Sequence, residues 1–283
     1  NTGIYLVKAP ILFELLDHVT NQNAKGEFYL TDIVGLAREG GAHVGTCHTD
    51  EGEALLGVNT PAQLAEAEHI FQTRQRQKKL SDGVFLKDPS STFFNYDTTI
   101  GKSTTVGPNV QFLENVQVDE NCTLEGSSVF KDTTLEAHAH ILSFCHLEGA
   151  YVAQGATVGP FARLRKGSSL GEKSKIGNFC EVKNTELGAG SKASHLTYLG
   201  DAHIGSDVNI GAGTITCNYD GSNKHKTTIE NGAFIGSNTS LVAPVKIGEG
   251  ALIAAGATIR KDVTPAYLAF TASAQKQRSK KKV

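Results

Sequence analysis

The sequence predicts a mainly β protein whose larger part is a parallel β-helix of short stacked strands. Two patterns indicate this fold class. From about residue 97 an aliphatic or aromatic residue recurs every six positions, and many of these residues are followed directly by glycine. The first run consists of Ile100, Val106, Phe112, Val118, Leu124 and Phe130. The period slips and resumes at Leu135, at Val152 and at Ile229. Self-similarity over so many units is the signature of a solenoid.

Each six-residue unit supplies one flat strand and one turn, with the aliphatic side chain pointing inward and glycine tolerating the turn backbone. Three such units close a coil of 18 residues, which gives about nine coils over residues 97–265. Residues 18 apart then lie on adjacent coils, about 4.8 Å from each other. The repeat is interrupted by a polar insertion at 217–226, rich in Asn, Asp and Gly. Such a loop is a favoured place for function, and a tolerated surface insertion is the alternative.

Residues 1–82 follow a different pattern, typical of mixed α/β structure. Residues 3–7 predict a short strand, and Pro10 opens a helix whose apolar stripe extends to Val19. Thr31 is a candidate N-cap for a second helix, which ends at the Gly40-Gly41 pair. Asn59, Thr60 and Pro61 predict the start of a longer helix that runs to about Leu80.

We therefore divide the chain into four parts. Residues 1–60 are an α/β region, 61–82 a connecting helix, 83–265 the β-helix and 266–283 a basic tail. The formal net charge of −2 over 283 residues argues against a nucleic-acid binder, and no apolar run is long enough for a membrane span. Five scattered cysteines favour free thiols in a cytoplasmic protein. Because the chain starts at Asn1 and contains no methionine, we expect a fragment or a processed chain.

Spacing alone indicates one candidate anion site. Arg165 and Lys183 are 18 residues apart, within a segment 163–192 that has an excess of cations. Two stacked cations repel unless an anion lies beside them, so the segment suggests a phosphate site, with a solvated charged face as the alternative. Ser237 and Ala255 are also 18 apart, and small residues stacked in this way form a smooth groove for a thin ligand.

Histidines suggest two further hypotheses. His195 lies between the basic segment and the insertion, where an imidazole can accept a proton from an amine or hydroxyl nucleophile. The group His138, His140 and His146 raises the alternative of a zinc site, although its spacing has no strong ligand signature.

A series of motifs resembles a known family. They are GPFARLR at 159–165, GNFCEVK at 177–183, SHLTYLGD at 194–201, VNIGAGT at 208–214 and CNYDG at 217–221, followed by Lys224. In this order they are similar to the bacterial bifunctional enzymes that combine N-acetylglucosamine-1-phosphate uridyltransferase and glucosamine-1-phosphate acetyltransferase. The resemblance covers essentially the whole chain, and it implies a left-handed β-helix of hexapeptide repeats preceded by the remnant of a nucleotidyltransferase domain.

The resemblance also implies an activity. The β-helix would transfer acetyl from acetyl-CoA to the amine of glucosamine 1-phosphate in a cytoplasmic homotrimer. The intact protein would couple the product to UTP with Mg²⁺, giving UDP-N-acetylglucosamine for peptidoglycan and lipopolysaccharide. Its implied base is His195, and its implied acceptor site consists of Arg165, Lys183, Tyr198, Asn209 and Lys224. The implied acetyl-CoA path consists of Ala212, Asn218, Tyr219, Ser237 and Ala255.

The sequence departs from the family pattern at both ends. Only two residues of the family's nucleotidyltransferase site are present: Asn1, which would bind the nucleotide sugar, and Asn59, which would bind the nucleotide sugar and Mg²⁺. We therefore expect this chain to lack uridyltransferase activity. The family's CoA-contacting arginine is missing from residues 269–273, so we expect either weaker CoA binding or substitution by Lys276 or Arg278. Two alternatives stay open: a hexapeptide acyltransferase with another acceptor, and a non-catalytic trimeric scaffold.

Overall fold

The structure is a computed structural model that describes residues 3–50 and 52–271, without the side chains of residues 53 and 54. The chain folds into two compact units, Asn1–Phe71 and Gln72–Val283. Among the described residues, no helix combines the length and apolar character that crossing a bilayer requires.

Short helices form the regular structure of the first unit. Helix α1 spans Ala9–Leu16 with Pro10 in its first turn, helix α2 spans Asp32–Glu39 between Thr31 and Gly40, and a 3₁₀ turn spans Gly52–Leu55. Both predicted helices are confirmed, although α1 ends before Val19 and the Thr31 side chain makes no capping hydrogen bond at the start of α2. The predicted strand at residues 3–7 is wrong. No strand is present in the described part of this unit, and an extended segment without a partner strand has no ladder to join.

Helix α3 spans Pro61–Ser81, which confirms the long helix predicted from its start signal. Its N-terminus is a reciprocal cap: the Gln63 N–H donates to Thr60 Oγ1 at 3.2 Å, and the Asn59 N–H donates to Gln63 Oε1 at 2.8 Å. The role of this helix as a connector between domains stays a prediction.

The C-terminal part of α3 packs within the second unit through polar contacts. The Gln72 side chain exchanges two hydrogen bonds with the backbone of Phe94, at 2.7 and 2.9 Å. The Lys79 ammonium is buried and donates to the Thr98 carbonyl at 2.6 Å. Burial is the main reason that the pKa of Lys79 lies below its usual value. These bonds satisfy polar groups that burial would otherwise leave unpaired.

The rest of the second unit is made of 27 short strands among the described residues. They are β1 Phe85–Leu86, β2 Thr99–Ile100, β3 Thr105–Val106, β4 Gln111–Phe112, β5 Val116–Val118, β6 Thr123–Leu124, β7 Val129–Lys131, β8 Thr133–Leu135, β9 His140–Ile141, β10 His146–Glu148, β11 Ala150–Val152, β12 Thr157–Val158, β13 Arg163–Leu164, β14 Ser168–Leu170, β15 Lys175–Asn178, β16 Glu181–Leu187, β17 Lys192–His195, β18 Tyr198–Ile204, β19 Asn209–Ile210, β20 Ile215–Cys217, β21 Thr227–Ile229, β22 Phe234–Ile235, β23 Ser240–Val242, β24 Val245–Ile247, β25 Leu252–Ile253, β26 Thr258–Ile259 and β27 Leu268–Ala269.

All pairings between these strands are parallel, and they define three faces. One face is an 11-stranded sheet running from β1 through β15, β17 and β19 to β27. The other two faces belong to a 16-stranded sheet, in which the long strands β16 and β18 continue around a corner and serve both faces. The prediction of a mainly β parallel helix is confirmed.

The turns of the β-helix are more numerous than predicted, and several are shorter. Eleven strands on one face correspond to about eleven turns, not nine, because pairing begins at β1 and extends to β27. Thr105 pairs with Thr123, 18 residues on, but Thr123 pairs with His140, only 17 residues on. The 25-residue step from Asn209 to Phe234 contains the polar insertion.

The inward residues form ladders along the axis of the β-helix. The periodic aliphatic residues are fully or almost fully buried, as at Leu164 and Val182, while Phe112 stacks on Phe94 at 5.2 Å and on Phe130 at 5.5 Å between ring centroids. Turns come close to one another at the corners. A Cβ on Gly177 would overlap the Ser194 carbonyl oxygen, which explains glycine at this position.

Three of the five cysteines line this core. Cys122, Cys145 and Cys180 are buried, whereas Cys47 is exposed and Cys217 is half-buried. Burial raises the pKa of both Cys122 and Cys145 to about 11 and also raises the pKa of Cys180. Because the thiolate is the reactive form, these three thiols are protected twice, by packing and by protonation.

We therefore expect native protein at pH 8 to react rapidly with iodoacetamide at Cys47, more slowly at Cys217, and not at the three buried cysteines. Peptide mass spectrometry after brief labelling measures this pattern, and labelling in denaturant should reach all five sites. Fast labelling of Cys122 or Cys145 in the native chain would contradict the packing.

Candidate functional site

The strand register brings Arg165 and Lys183 together. Leu164 in β13 pairs with Val182 in β16, and the Arg165 N–H donates to the Val182 carbonyl at 2.8 Å. Arg165 and Lys183 directly follow this buried pair, so they lie at the same level on adjacent turns, as their spacing predicts. Lys183 is paired in turn with Gly200 in β18.

A third cation joins this pair from the polar insertion. Lys224 approaches the Lys183 ammonium directly; this contact, together with the charges of Lys224 and Arg165, lowers the pKa of Lys183. Arg165 Nη1 donates to Glu181 Oε1 at 2.8 Å. We call Arg165, Lys183 and Lys224 the cation cluster. Its close like charges are unfavourable until an anion binds between them.

The insertion itself, residues 217–226, folds into a hairpin. Tyr219 and Lys224 form an antiparallel bridge, and the His225 N–H donates to the Asn218 carbonyl at 2.8 Å. Asp220 accepts the backbone N–H groups of the loop tip and bonds the His225 ring at 2.7 Å. The backbone bond from Asn223 and the bond from His225 are the main reasons that the pKa of Asp220 lies well below its usual range. The loop is therefore ordered by its own hydrogen bonds.

Asp201 lies at the base of this loop and was missed by the sequence analysis. Its Oδ1 accepts from Asn184 Nδ2 at 2.6 Å, and its Oδ2 accepts from Asn218 Nδ2. Burial acts to raise the pKa of Asp201, but the two amide donors and the charges of Lys224 and Lys183 outweigh it, so the pKa is lowered. The sequence contained a signal, since residues 184, 201 and 218 are spaced by 17, one short turn of the β-helix.

His195 is held by a neighbour that the sequence analysis also missed. Asn178 in β15 pairs with His195 in β17, and Asn178 Oδ1 lies 2.6 Å from His195 Nδ1. An amide oxygen only accepts hydrogen bonds, so Nδ1 carries the proton and donates. In the neutral ring this leaves the lone pair on Nε2 free to accept a proton. His195 is exposed, so a ligand can reach that nitrogen.

Small residues continue from His195 along one corner. The Gly213 N–H donates to the His195 carbonyl, the Asn238 N–H to the Ala212 carbonyl and the Gly256 N–H to the Ser237 carbonyl. These bonds place four residues in one column on successive turns, namely His195, Ala212, Ser237 and Ala255. Ser237 and Ala255 are therefore adjacent, as their spacing predicts. Together with Ala212 they form a narrow surface free of large side chains.

Tyr198 lies between these two groups. It pairs with Glu181 on the preceding turn, and a Cβ on Gly200 would overlap its hydroxyl group, so glycine at 200 gives this ring its position. Tyr198 therefore lies on the face formed by β13 and the first residues of β16 and β18. Along the chain direction, the His195 column borders this face before these strands, and the cation cluster borders it after them. Asn209 lies on the 11-stranded face, paired with Lys192, and Tyr219 is exposed on the hairpin.

The residues predicted to bind the nucleotide sugar, Mg²⁺ and the CoA phosphate lie at the two ends of the sequence or on the surface. Asn1, Lys276 and Arg278 lie outside the described residues, and Asn59 is exposed at the start of α3. Among the side chains that the structure describes, no three or more His, Cys, Asp or Glu residues are grouped so that they could hold a metal ion. The zinc alternative at His138, His140 and His146 is therefore not supported there, and His140 instead bonds Glu125 at 2.9 Å.

Comparison with known proteins defines the class first. The model of the bacterial transferase hexapeptide family (six repeats) matches residues 226–261, in the last turns of the β-helix. With the observed stacking, this makes the chain a hexapeptide-repeat protein with a left-handed parallel β-helix, as predicted. Among solved structures, the Arabidopsis UDP-N-acetylglucosamine acyltransferase is 18% identical with a TM-score of 0.48, covering 63% of this chain and 69% of that chain.

Full-length relatives are more specific. The chain is 51% identical over 95% of its length to the bifunctional protein GlmU of Paracoccus denitrificans, and 47% identical over 97% to that of Paramagnetospirillum magneticum. It spans 56% and 57% of the length of these two proteins. The resemblance seen in the motifs is confirmed, and over the shared region the chain belongs to the GlmU family.

The tautomer of His195 can be tested directly. We expect Nδ1 to be protonated and Nε2 to be unprotonated in the neutral ring, because Asn178 Oδ1 accepts from Nδ1. Long-range ¹H–¹⁵N spectra of ¹⁵N-histidine protein measure this, with His195→Gln to assign the signal. Asn178→Leu removes the acceptor and should shift the population toward the Nε2–H form. An Nε2–H form in the native chain would contradict the assigned bond.

Proposed function

We propose that this chain transfers the acetyl group of acetyl-CoA to the amine of glucosamine 1-phosphate, giving N-acetylglucosamine 1-phosphate and CoA. The observation that carries the proposal is that the cation cluster and the His195 column border the same face of the β-helix. Its cation cluster suits the phosphate of the acceptor, and its His195 column suits the amine and the thioester. The GlmU relatives support the same activity.

The cation cluster would bind the acceptor through its phosphate. Arg165 presents further N–H donors besides the one held by Glu181, and Lys183 and Lys224 supply two compact charges. A phosphate between them replaces their mutual repulsion by attraction. Tyr198, on the strand between the two edges, and Asn209 complete the proposed acceptor site.

His195 would act as the general base. The acceptor nitrogen attacks the thioester carbonyl carbon, a C–N bond forms, and the nitrogen loses a proton to His195 Nε2. The tetrahedral intermediate then expels the CoA sulfur, the C–S bond breaks, and the thiolate takes up the proton that His195 holds, which restores the neutral ring. The backbone N–H of Ala212 is the proposed donor to the oxyanion. The reaction involves no acyl-enzyme, so the half-buried Cys217 need not be a nucleophile.

Acetyl-CoA would lie along the corner of small residues. Ala212, Ser237 and Ala255 leave room for a thin chain that starts at His195, and each turn adds about 4.8 Å to the path. Asn218 and Tyr219, at the start of the hairpin, are proposed to contact the same ligand. Lys276 or Arg278 is the proposed partner for the remaining CoA phosphate.

Self-association would complete the site. Three exposed phenylalanines stack along the corner that continues into the His195 region: Phe144 on Phe161 at 4.8 Å, and Phe161 on Phe179 at 5.3 Å. Their exposed fractions are 54%, 47% and 56%, and Leu196 continues the strip. Contiguous exposed apolar surface marks an interaction site. We propose a cytoplasmic homotrimer in which neighbouring chains cover this strip.

The second activity of the longer proteins, coupling of the product to UTP with Mg²⁺, is proposed only for the whole protein. Mg²⁺ prefers carboxylate and other oxygen ligands in octahedral arrangement. Asn59 offers one exposed amide, and the described side chains include no group of three or more His, Cys, Asp or Glu that could hold a metal ion. The residues present do not by themselves fit the ion.

Thiol release from acetyl-CoA in the presence of glucosamine 1-phosphate tests the proposal. Because a general base contributes about 10²–10⁴-fold, His195→Ala should lower kcat by about 10²-fold or more. His203→Ala is the matched control, since His203 is exposed and bonded to Glu186, and it should retain turnover. Native-like activity of His195→Ala would exclude the role. Faster turnover of another amino-sugar phosphate would favour a different acceptor, and no thiol release would favour the scaffold alternative.

Product binding should depend on pH through Lys183. Its pKa lies below the ordinary value, because Lys224 and Arg165 act on it, so its charge, and with it the affinity for the phosphate, is lost as pH rises through this lowered pKa. Calorimetry with N-acetylglucosamine 1-phosphate, which has no titrating amine, measures the decline and the accompanying proton uptake. Lys183→Arg stays charged and should weaken the decline. A constant native affinity up to about pH 10, near the ordinary pKa of a lysine, would contradict this assignment.

A further inference from the structure

Asp201 joins three successive turns of the β-helix at one corner. Its two carboxylate oxygens accept one amide each, from Asn184 on the preceding turn and from Asn218 at the start of the hairpin. Its backbone is left-handed, with φ of 50°. A carboxylate suits this position because both of its oxygens accept hydrogen bonds.

The bond to Asn218 connects Asp201 to the rest of the hairpin. Asn218 is buried, and its carbonyl accepts the His225 N–H from the returning strand at 2.8 Å. Lys224, the residue before His225, bridges to Tyr219. A continuous path of short contacts therefore leads from Asp201 through Asn218 to the backbone that presents Lys224.

The negative charge of Asp201 gives it a second effect, which acts on the two lysines of the cation cluster. Lys183 and Lys224 approach each other closely, and the negative charge of Asp201 interacts with the charge of each. Arg165 also acts on Lys183 through its charge, and its guanidinium is already bonded to Glu181. The charge of Asp201 thus offsets part of the repulsion within the lysine pair.

We propose that Asp201 is a positioning residue for acceptor binding: it holds the hairpin 217–226 closed so that Lys224 and Lys183 face the same phosphate. The inference rests on the proposed acetyl transfer for its kinetic consequence, whereas closure of the hairpin is independent of it. Asp201 bonds the loop through Asn218, and its charge interacts with those of Lys224 and Lys183. No contact with the reacting atoms is assigned to it.

The chain offers a matched control at the same kind of corner. Asp132 also has a left-handed backbone, with φ of 46°, and its Oδ1 accepts from Asn115 Nδ2 at 2.8 Å. These residues are again 17 apart, but Asp132 carries no hairpin. Asn tolerates the left-handed region well, so Asp132→Asn and Asp201→Asn make the same backbone and charge change.

Asp201→Asn should open the hairpin. An amide accepts only through its oxygen, so its nitrogen opposes one of the two asparagine donors, and the negative charge is lost. We expect backbone hydrogen exchange in 217–227 to accelerate about tenfold, and kcat/KM for glucosamine 1-phosphate to fall about tenfold, mainly through KM. Asp132→Asn should stay within twofold of the native chain in both measurements.

Native exchange in the hairpin of Asp201→Asn would overturn the proposal, as would a kcat/KM within twofold of the native value. A loss confined to kcat with an unchanged KM would also overturn it, because the residue would then act on the chemistry. If the native chain transfers no acetyl group, the proposed function fails, and the exchange measurement still decides whether Asp201 holds the hairpin.

Discussion

Backbone pairing between successive turns is the constraint on which the rest of this structure depends. Each turn must keep its aliphatic residues inside the β-helix, so the register cannot slip by one residue without turning the core outward. Leu164, Val182 and Leu199 show the result, since each pairs with the next and all three are fully buried. Side chains next to these residues are consequently fixed in columns on the outer surface.

The candidate site is a direct product of these columns. One column ends at the cation cluster, where Arg165 and Lys183 come from successive turns and Lys224 from the insertion. Another column starts at His195 and continues through small residues. Neither group is a sequence neighbour of the other, and a rigid solenoid is what holds both at the edges of one face. Preorganisation of this kind lets charged groups act without rearrangement when a ligand arrives.

Most of the solenoid was predictable from the sequence because its six-residue period repeats many times, although the period slips between runs. The helix starting at Pro61, the buried ladder and the adjacency of Arg165 to Lys183 follow from spacing and capping. The strand predicted at residues 3–7 was wrong, since local apolar character says nothing about whether a partner strand is present.

Asn178 and Asp201 were missed for a different reason. A uniform 18-residue coil hides contacts between residues 17 apart, and turn length varies with the corner conformation, as at Asn184 and Asp201, both with a left-handed backbone. The path of the hairpin was equally hidden, because its hydrogen bonds are specific to its own side chains.

The central claim is that two residues from adjacent turns act on one phosphate. A double-mutant cycle with Arg165→Ala and Lys183→Ala, read out by calorimetric binding of N-acetylglucosamine 1-phosphate, tests it most directly. Residues that share one ligand group should be coupled by about 0.5–3 kcal/mol, whereas Arg165→Ala with Lys175→Ala, on another face, should be additive. Additive losses for Arg165 and Lys183 would contradict the account.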